Sequence, residues 1–189
     1  LQGDIRGYLT TLISIALANE KMSSGELISF VSFINQIIYL FNKDGEFYDL
    51  LNELVGSLID RIFKTLECQK MMIDAKINDD SVKTDKKSDP IVVNLKLQRV
   101  NVVKSYLGIL LTMMNNHVFS VLLNDINQKW LPPIFNSVFE YVCDVKDAMV
   151  CKLAFNVLQM MVEFLSGGVL ADKEDCYYVV KGGAPLKVD

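Results

Sequence analysis

The sequence predicts an all-α fold, an α-α superhelix of antiparallel helix pairs stacked side by side. Three observations carry that prediction. Apolar residues recur at spacings of three and four over most of the chain, the period of a helix with one buried face. Short polar stretches, or stretches containing Gly or Pro, interrupt the period at intervals suited to helical hairpins. The second helix is apolar nearly all round, so it needs neighbours on several sides, which a stack of hairpins supplies. Composition agrees: 189 residues, 51% apolar and 22% charged, suit one folded domain or a piece of something longer. No alternating run asks for a β-sheet.

The first helix is expected between Asp4 and Glu20, with Ile5, Tyr8, Leu9, Leu12, Ile13, Ile15, Ala16 and Leu17 on a wide buried face. Ser23, Ser24 and Glu26 then give a serine cap and an early glutamate, a helix start. The helix that follows runs to about Phe41 through Leu27, Phe30, Val31, Ile34, Ile37 and Ile38. After the polar turn at 42–45, the third helix is marked by Phe47, Leu50, Leu51, Leu54, Val55, Leu58, Ile59, Ile62, Phe63 and Leu66. Asp74 to Pro90, with five aspartates, four lysines and no aromatic residue, predicts a mobile loop. Pro90 suits a first helical turn, and a long helix runs on towards Met114. A short apolar segment, His117 to Asn124, leads to a helix opened by Trp130, Leu131 and tandem prolines and running to about Cys143. The last helix carries Met149, Val150, Leu153, Ala154, Val157, Leu158, Met161, Val162 and Leu165 and closes at Gly167-Gly168. The organisation reads as hairpins over 1–73, a polar loop over 74–90, a continuation of the same array over 91–168, and a tail over 169–189 whose structure the pattern does not specify.

Function is narrowed first by what is missing. The formal charge of −4 lacks the basic excess of a general nucleic-acid binder, so any such contact has to be local. Cys68, Cys143, Cys151 and Cys176 show no C-x-x-C spacing and read as free thiols of a reducing compartment, Cys143 and Cys151 as buried structural ones. No basic and apolar leader is present, and a first residue other than Met reads as a fragment cut from a longer protein. The uncharged stretch from Ser105 to Asn124 has the length of a membrane span, but Asn115, Asn116, His117, Ser120 and Asn124 interrupt it and Asn115-Asn116 reads as a turn. No membrane insertion is expected.

Catalytic constellations are equally thin. His117 is the single histidine, which removes a histidine-rich metal site and leaves a Cys-His or Ser-His dyad as the sole catalytic option, against the plainer reading of a turn or capping residue. Glycine-rich phosphate loops and a nucleophile elbow are absent, so neither enzyme activity nor a cofactor is expected. Glu46, Asp49, Glu53 and Asp60 share one side of the third helix and read as a solvated acidic face. The charge distribution is more informative. Residues 1–73 carry six basic and nine acidic residues, whereas Pro90 to Asn124 holds Lys96, Arg99 and Lys104 and no acid. At roughly 100° per residue these three span an arc of about 140° and can address a polyanion together. They serve equally to solubilise a helix edge. Lys83, Lys86 and Lys87 are interleaved with aspartates and make a weaker phosphate site.

The segment Asp147 to Leu158 follows the HEAT-repeat pattern of aspartate, valine, basic residue, alanine and leucine. Ala148 stands where proline is usual and Lys152 one place beyond the basic position. Further strings are Phe30-Val31-Ser32-Phe33-Ile34-Asn35-Gln36-Ile37-Ile38-Tyr39, then Lys104-Ser105-Tyr106, then Glu140-Tyr141 leading through Asp147 to Val162-Glu163. With these, the chain from about Phe30 to Gly168 resembles the C-terminal part of the exportin-t family, tRNA export receptors of the importin-β (karyopherin) superfamily. The resemblance implies a superhelical array that wraps tRNA together with Ran-GTP in the nucleus and releases both in the cytoplasm, meeting nuclear pore proteins on the way. It implies no enzyme. Of the family's basic inner residues it carries over Lys104 alone; Lys96 and Arg99 are added on charge. The polar loop from Asp74 to Pro90 departs from the family pattern. The alternative is a HEAT-repeat scaffold, or another karyopherin, that binds only protein partners.

Overall fold

The computed structural model describes residues 2–19, 21–42, 45–78, 89–143 and 147–166. Among them are six α-helices: α1 (Gln2–Ala18), α2 (Ser24–Phe41), α3 (Gly45–Asn78), α4 (Pro90–Asn115), α5 (Leu131–Cys143) and α6 (Ala148–Ser166). Two 3-10 segments, Phe119–Leu123 and Gln128–Trp130, link α4 to α5. No strand occurs among the described residues.

The helices pack in two layers. α2 lies against α4 and α4 against α6, while α1 lies against α3, and α3 meets the 3-10 segment on the way to α5. α3 with α4, and α5 with α6, pack as hairpins. This is an all-α helical-repeat superhelix of the kind the periodicity predicts, with each inner hairpin covered on two sides. Polar bonds set the register. Asn42, after α2, donates to Asn116, after α4, at 2.9 Å. Gln69 of α3 donates to Ser24 Oγ at 2.8 Å, and Arg61 donates to the Asn19 carbonyl at 2.6 Å.

Local chemistry explains the helix ends. Ser23 and Glu26 form a full capping box: the Glu26 N–H donates to Ser23 Oγ at 3.3 Å and the Ser23 N–H to Glu26 Oε2 at 2.7 Å. Asp89 accepts from the Ile91 N–H at 2.8 Å ahead of Pro90 in the first turn of α4. At the other end of α4 the His117 N–H reaches the Met114 carbonyl and the Val118 N–H the Met113 carbonyl. Those two bonds make a Schellman motif, with His117 at φ 61° in the left-handed position that glycine usually takes. His117 is thus a turn residue, as expected.

The core runs through the α3/α4 hairpin, where Ile59, Ile62, Tyr106, Leu107, Leu110 and Met113 are buried, and Phe119, Val121 and Leu122 of the 3-10 segment plug its end. A polar network lies inside, although Asn35 Oδ1 and Gln69 Oε1 are enclosed without a hydrogen-bond partner. The buried Asn127 donates to the Asn52 carbonyl (2.7 Å), to Asn52 Oδ1 (2.9 Å) and to the Val121 carbonyl (3.1 Å), and Asn124 donates to Asn52 Oδ1 at 2.8 Å. This cluster clamps the α4–α5 connection onto α3.

Several expectations need correction. The third helix does not stop near Ile73; it continues to Asn78, because Ala75 and Lys76 favour helix and the first strong breakers come only afterwards. The first helix buries Ile13 and partly buries Leu9, Ala16 and Leu17, but Tyr8, Leu12 and Ile15 are exposed. Its face is narrower than the pattern suggests, since α3 covers one side of it. The stretch from Ser105 to Asn124 is divided at Asn116 between α4 and a 3-10 segment, and its apolar side chains are core. Among the described residues the helix long and apolar enough to cross a membrane is instead α2, which buries Leu27, Phe30, Val31, Ile34, Ile37 and Ile38 in the stack. Cys143 is exposed and Cys151 half-buried, not core thiols. The loop lysines Lys83, Lys86 and Lys87, the closing glycines, Cys176 and the tail lie outside the described residues.

Candidate nucleic-acid interface

α4 is held by its second half. From Val102 onward Val103, Tyr106, Leu107, Ile109, Leu110, Met113 and Met114 are all buried, whereas between Pro90 and Asn101 only Val92 is. The first half is more exposed, with Ile91, Val93 and Leu97 in solvent and Val92 buried. Lys96 and Arg99 sit on this more exposed half. Lys96 is exposed; Arg99 is half-buried, with its Nε enclosed and without a hydrogen-bond partner.

Lys104 differs from both. Its Nζ lies 3.1 Å from Asp147 Oδ2, and the two side chains are 33% and 31% exposed. Asp147 is the HEAT-pattern aspartate, and its other oxygen caps α6 by accepting from the Met149 N–H (2.9 Å) and the Val150 N–H (3.0 Å). The Val150 N–H first, and Lys104 next, hold the Asp147 carboxyl below its ordinary value. Behind this cap Val150, Ala154, Val157 and Met161 form the buried face of α6, and the small Ala154 allows α4 to come close.

The tyrosine of the Lys-Ser-Tyr string plays another part. Tyr106 is fully buried, bonds Ser137 of α5 at 2.9 Å and packs edge-on against Phe63 (5.5 Å) and Tyr141 (6.5 Å). Burial pushes its phenol pKa well up. The string thus puts a core anchor two residues from a surface cation. The structure brings Lys96, Arg99 and Lys104 onto one helix but into three states: free in solvent, half-enclosed, and paired. The pairing partner, Asp147, was visible in the sequence as a cap; nothing in the helical period shows that the start of α6 comes to rest beside Lys104.

Other candidates add little chemistry. Glu46, Asp49 and Glu53 are exposed on α3, and Asp60 pairs with Lys64 at 2.7 Å, a solvated acidic face. A shallow depression on the outside of α3 is lined by Lys64, Glu67, Cys68, Met71, Met72 and Ala75, with no convergent polar groups. Among the described residues no group of three His, Cys, Asp or Glu side chains is placed to hold a metal ion.

Comparison with known proteins identifies the family. A family model described as Exportin-T matches residues 1–88 and 90–178. The chain is 33% identical over 175 residues to Exportin-T of Candida albicans, covering 92% of this chain and 16% of that protein. It is 30% identical over 179 residues to Exportin-T of Debaryomyces hansenii, covering 94% and 16%. Against Exportin-T of Saccharomyces cerevisiae strain S288c it is 27% identical over 196 residues, covering 100% and 18%. The chain thus spans less than a fifth of the length of these relatives. No solved structure matches it significantly. With a match running along nearly its whole length and a two-layer helical stack beneath it, the chain belongs to the Exportin-T family.

Proposed function

We propose that this chain is part of a nuclear export receptor that grips tRNA together with Ran-GTP and carries it from nucleus to cytoplasm. The observation that carries the reading is the family match over residues 1–88 and 90–178. The acid-free α4, whose first half exposes Ile91, Val93 and Leu97 beside Lys96, supports it at the residue level. In this reading Lys96, Arg99 and Lys104 meet phosphates of the tRNA backbone and leave base sequence unread, as recognition by shape requires. The contribution of three cations is modest and salt-screened, and the chain's charge of −4 opposes it, so the affinity belongs to the full receptor. Helices α1 to α3 and α4 to α6 then serve as one continuous array, with contacts to nuclear pore proteins, without membrane insertion, with no cofactor and no bond-making step.

The test is capture of tRNA by the full-length receptor with Ran loaded with GTP or with GDP. Cooperative capture in the GTP form alone is the expected result. A second reading, a HEAT scaffold for protein partners only, draws on the exposed apolar residues of the end helices, among them Tyr8, Leu12, Ile15, Phe155 and Val162. Capture of the same proteins regardless of nucleotide, and no tRNA, would favour that scaffold.

A further inference from the structure

Resting on the tRNA reading, we infer that Asp147 is a built-in competitor for Lys104, occupying in the unliganded protein the ammonium group that a nucleic-acid phosphate takes on binding. The two carboxylate oxygens have separate tasks. Oδ2 faces Lys104 Nζ at 3.1 Å, while Oδ1 accepts the Met149 and Val150 N–H groups that open α6. Withdrawing the lysine therefore leaves the cap intact, and α6 does not have to fray for the exchange to occur.

Exposure makes the exchange accessible. With about a third of each side chain in solvent, a phosphate can reach Nζ without any helix moving. A pair this exposed is weak, comparable with a single phosphate contact, so the two states are close in free energy and neither partner holds the lysine irreversibly. Asp147 keeps its charge after losing the lysine and then lies beside the incoming phosphate. Repulsion between like charges at such range in a mostly aqueous setting weakens binding on the order of fivefold. Asp147 thus lowers the grip of this helix on polyanions and makes it less sensitive to salt, while Lys96 and Arg99, which stand outside the pair, remain available.

The experiment uses the full-length receptor with GTP-loaded Ran, titrated with tRNA at several salt concentrations, and in parallel with poly(U) as a polyanion without tRNA shape. Asp147→Asn keeps the cap, because asparagine caps a helix as well as aspartate does. The expected result is affinity for tRNA raised on the order of fivefold at low salt. The dependence on log salt should become steeper by about one phosphate contact. Lys104→Met should weaken tRNA binding on its own, and Asp147→Asn added to it should bring no gain. Unchanged or weaker binding of both polymers by Asp147→Asn overturns the inference, the weaker case because the aspartate then orients the lysine for its ligand. That outcome leaves tRNA capture by the receptor standing. A gain with poly(U) and none with tRNA supports the exchange itself but removes this face from the tRNA-binding surface. Failure of the wild-type receptor to hold tRNA, with the poly(U) gain intact, overturns the export reading and keeps the exchange.

Discussion

Two positions show how single residues are constrained by what surrounds them. Gly56 sits inside α3, where alanine would ordinarily favour the helix by about 1 kcal/mol. A Cβ at Gly56 would lie 2.8 Å from Asn127 Oδ1 and 3.1 Å from Trp130 Nε1. Asn127 cannot easily step aside, because its amide holds three acceptors at once. Overpacking therefore wins, and Gly56→Ala should lose about 1–2 kcal/mol net in a urea titration of this chain. A gain in stability would mean that the Asn127 clamp is loose. At His117 the constraint is the backbone, φ 61°. A β-branched residue is poorest there, so His117→Val should cost about 1–2 kcal/mol, while His117→Gly stays within about 1 kcal/mol of wild type because it trades imidazole contacts for a relaxed backbone. Equal losses for both would show that the side chain matters and the left-handed turn does not. The sequence marks Asn115-Asn116 as a turn, but it does not reveal that the next residue adopts the positive φ. Nor does it reveal that Gly56 is required by an asparagine on another element. Both facts belong to tertiary approach.

At the scale of an element, the starts of α2 and α6 have the same dependence on acid. Glu26 is held below its ordinary value of 4.5 by the Ser23 backbone and side chain, and Asp147 below its ordinary 3.8 by the Val150 N–H and Lys104. A carboxyl whose folded pKa is depressed adds stability above its unfolded value and loses it as pH falls through the folded one. Both caps are therefore intact at neutral pH, begin to weaken below about pH 4.5 for α2 and pH 3.8 for α6, and are lost further down. Amide exchange at Leu27 and Val150 should accelerate in that window after correction for intrinsic rates. Ser23→Ala should remove the step for α2 and leave that for α6. Acid protection unchanged in both helices would show that packing alone holds these ends. Elements were the most legible level of the sequence, since capping residues, prolines and apolar period all lie within one segment. The exception is the end of α3. A run of charge at 74–78 looks like loop but is helix, because polarity reports solvent exposure while Ala75 and Lys76 still favour the helical backbone. The candidate interface was half legible for the same reason. Period places Lys96, Arg99 and Lys104 on one arc of α4, yet which of them is free depends on α6.

For the whole molecule, the consequence of a one-dimensional stack is that its two ends differ from its middle. An inner hairpin such as α3/α4 has neighbours on both sides, and its core residues are closed off accordingly. The outer face of α1 shows Tyr8 at 78%, Leu12 at 54% and Ile15 at 67% exposure, a stripe at spacings of four and three. At the other end Phe139, Phe155 and Val162 are more than half exposed. Repeat arrays stay soluble when their terminal helices carry polar outer faces, and here exposed apolar residues share the end helices with polar ones, among them Lys152, Asn156 and Glu163 of α6. Uncovered apolar stripes of this kind drive association. The isolated 189-residue chain should therefore sediment as more than a monomer as its concentration rises, while its helix content stays constant. Leu12→Lys with Ile15→Glu should shift it towards monomer without loss of helix, since both side chains are exposed and α1 is anchored to α3 through Ile13. Changing Phe155→Lys in addition should complete the shift if the second end also associates. A chain that remains monomeric at every concentration would show that these stripes are too narrow to bind one another, and that the stack tolerates open ends with apolar residues exposed.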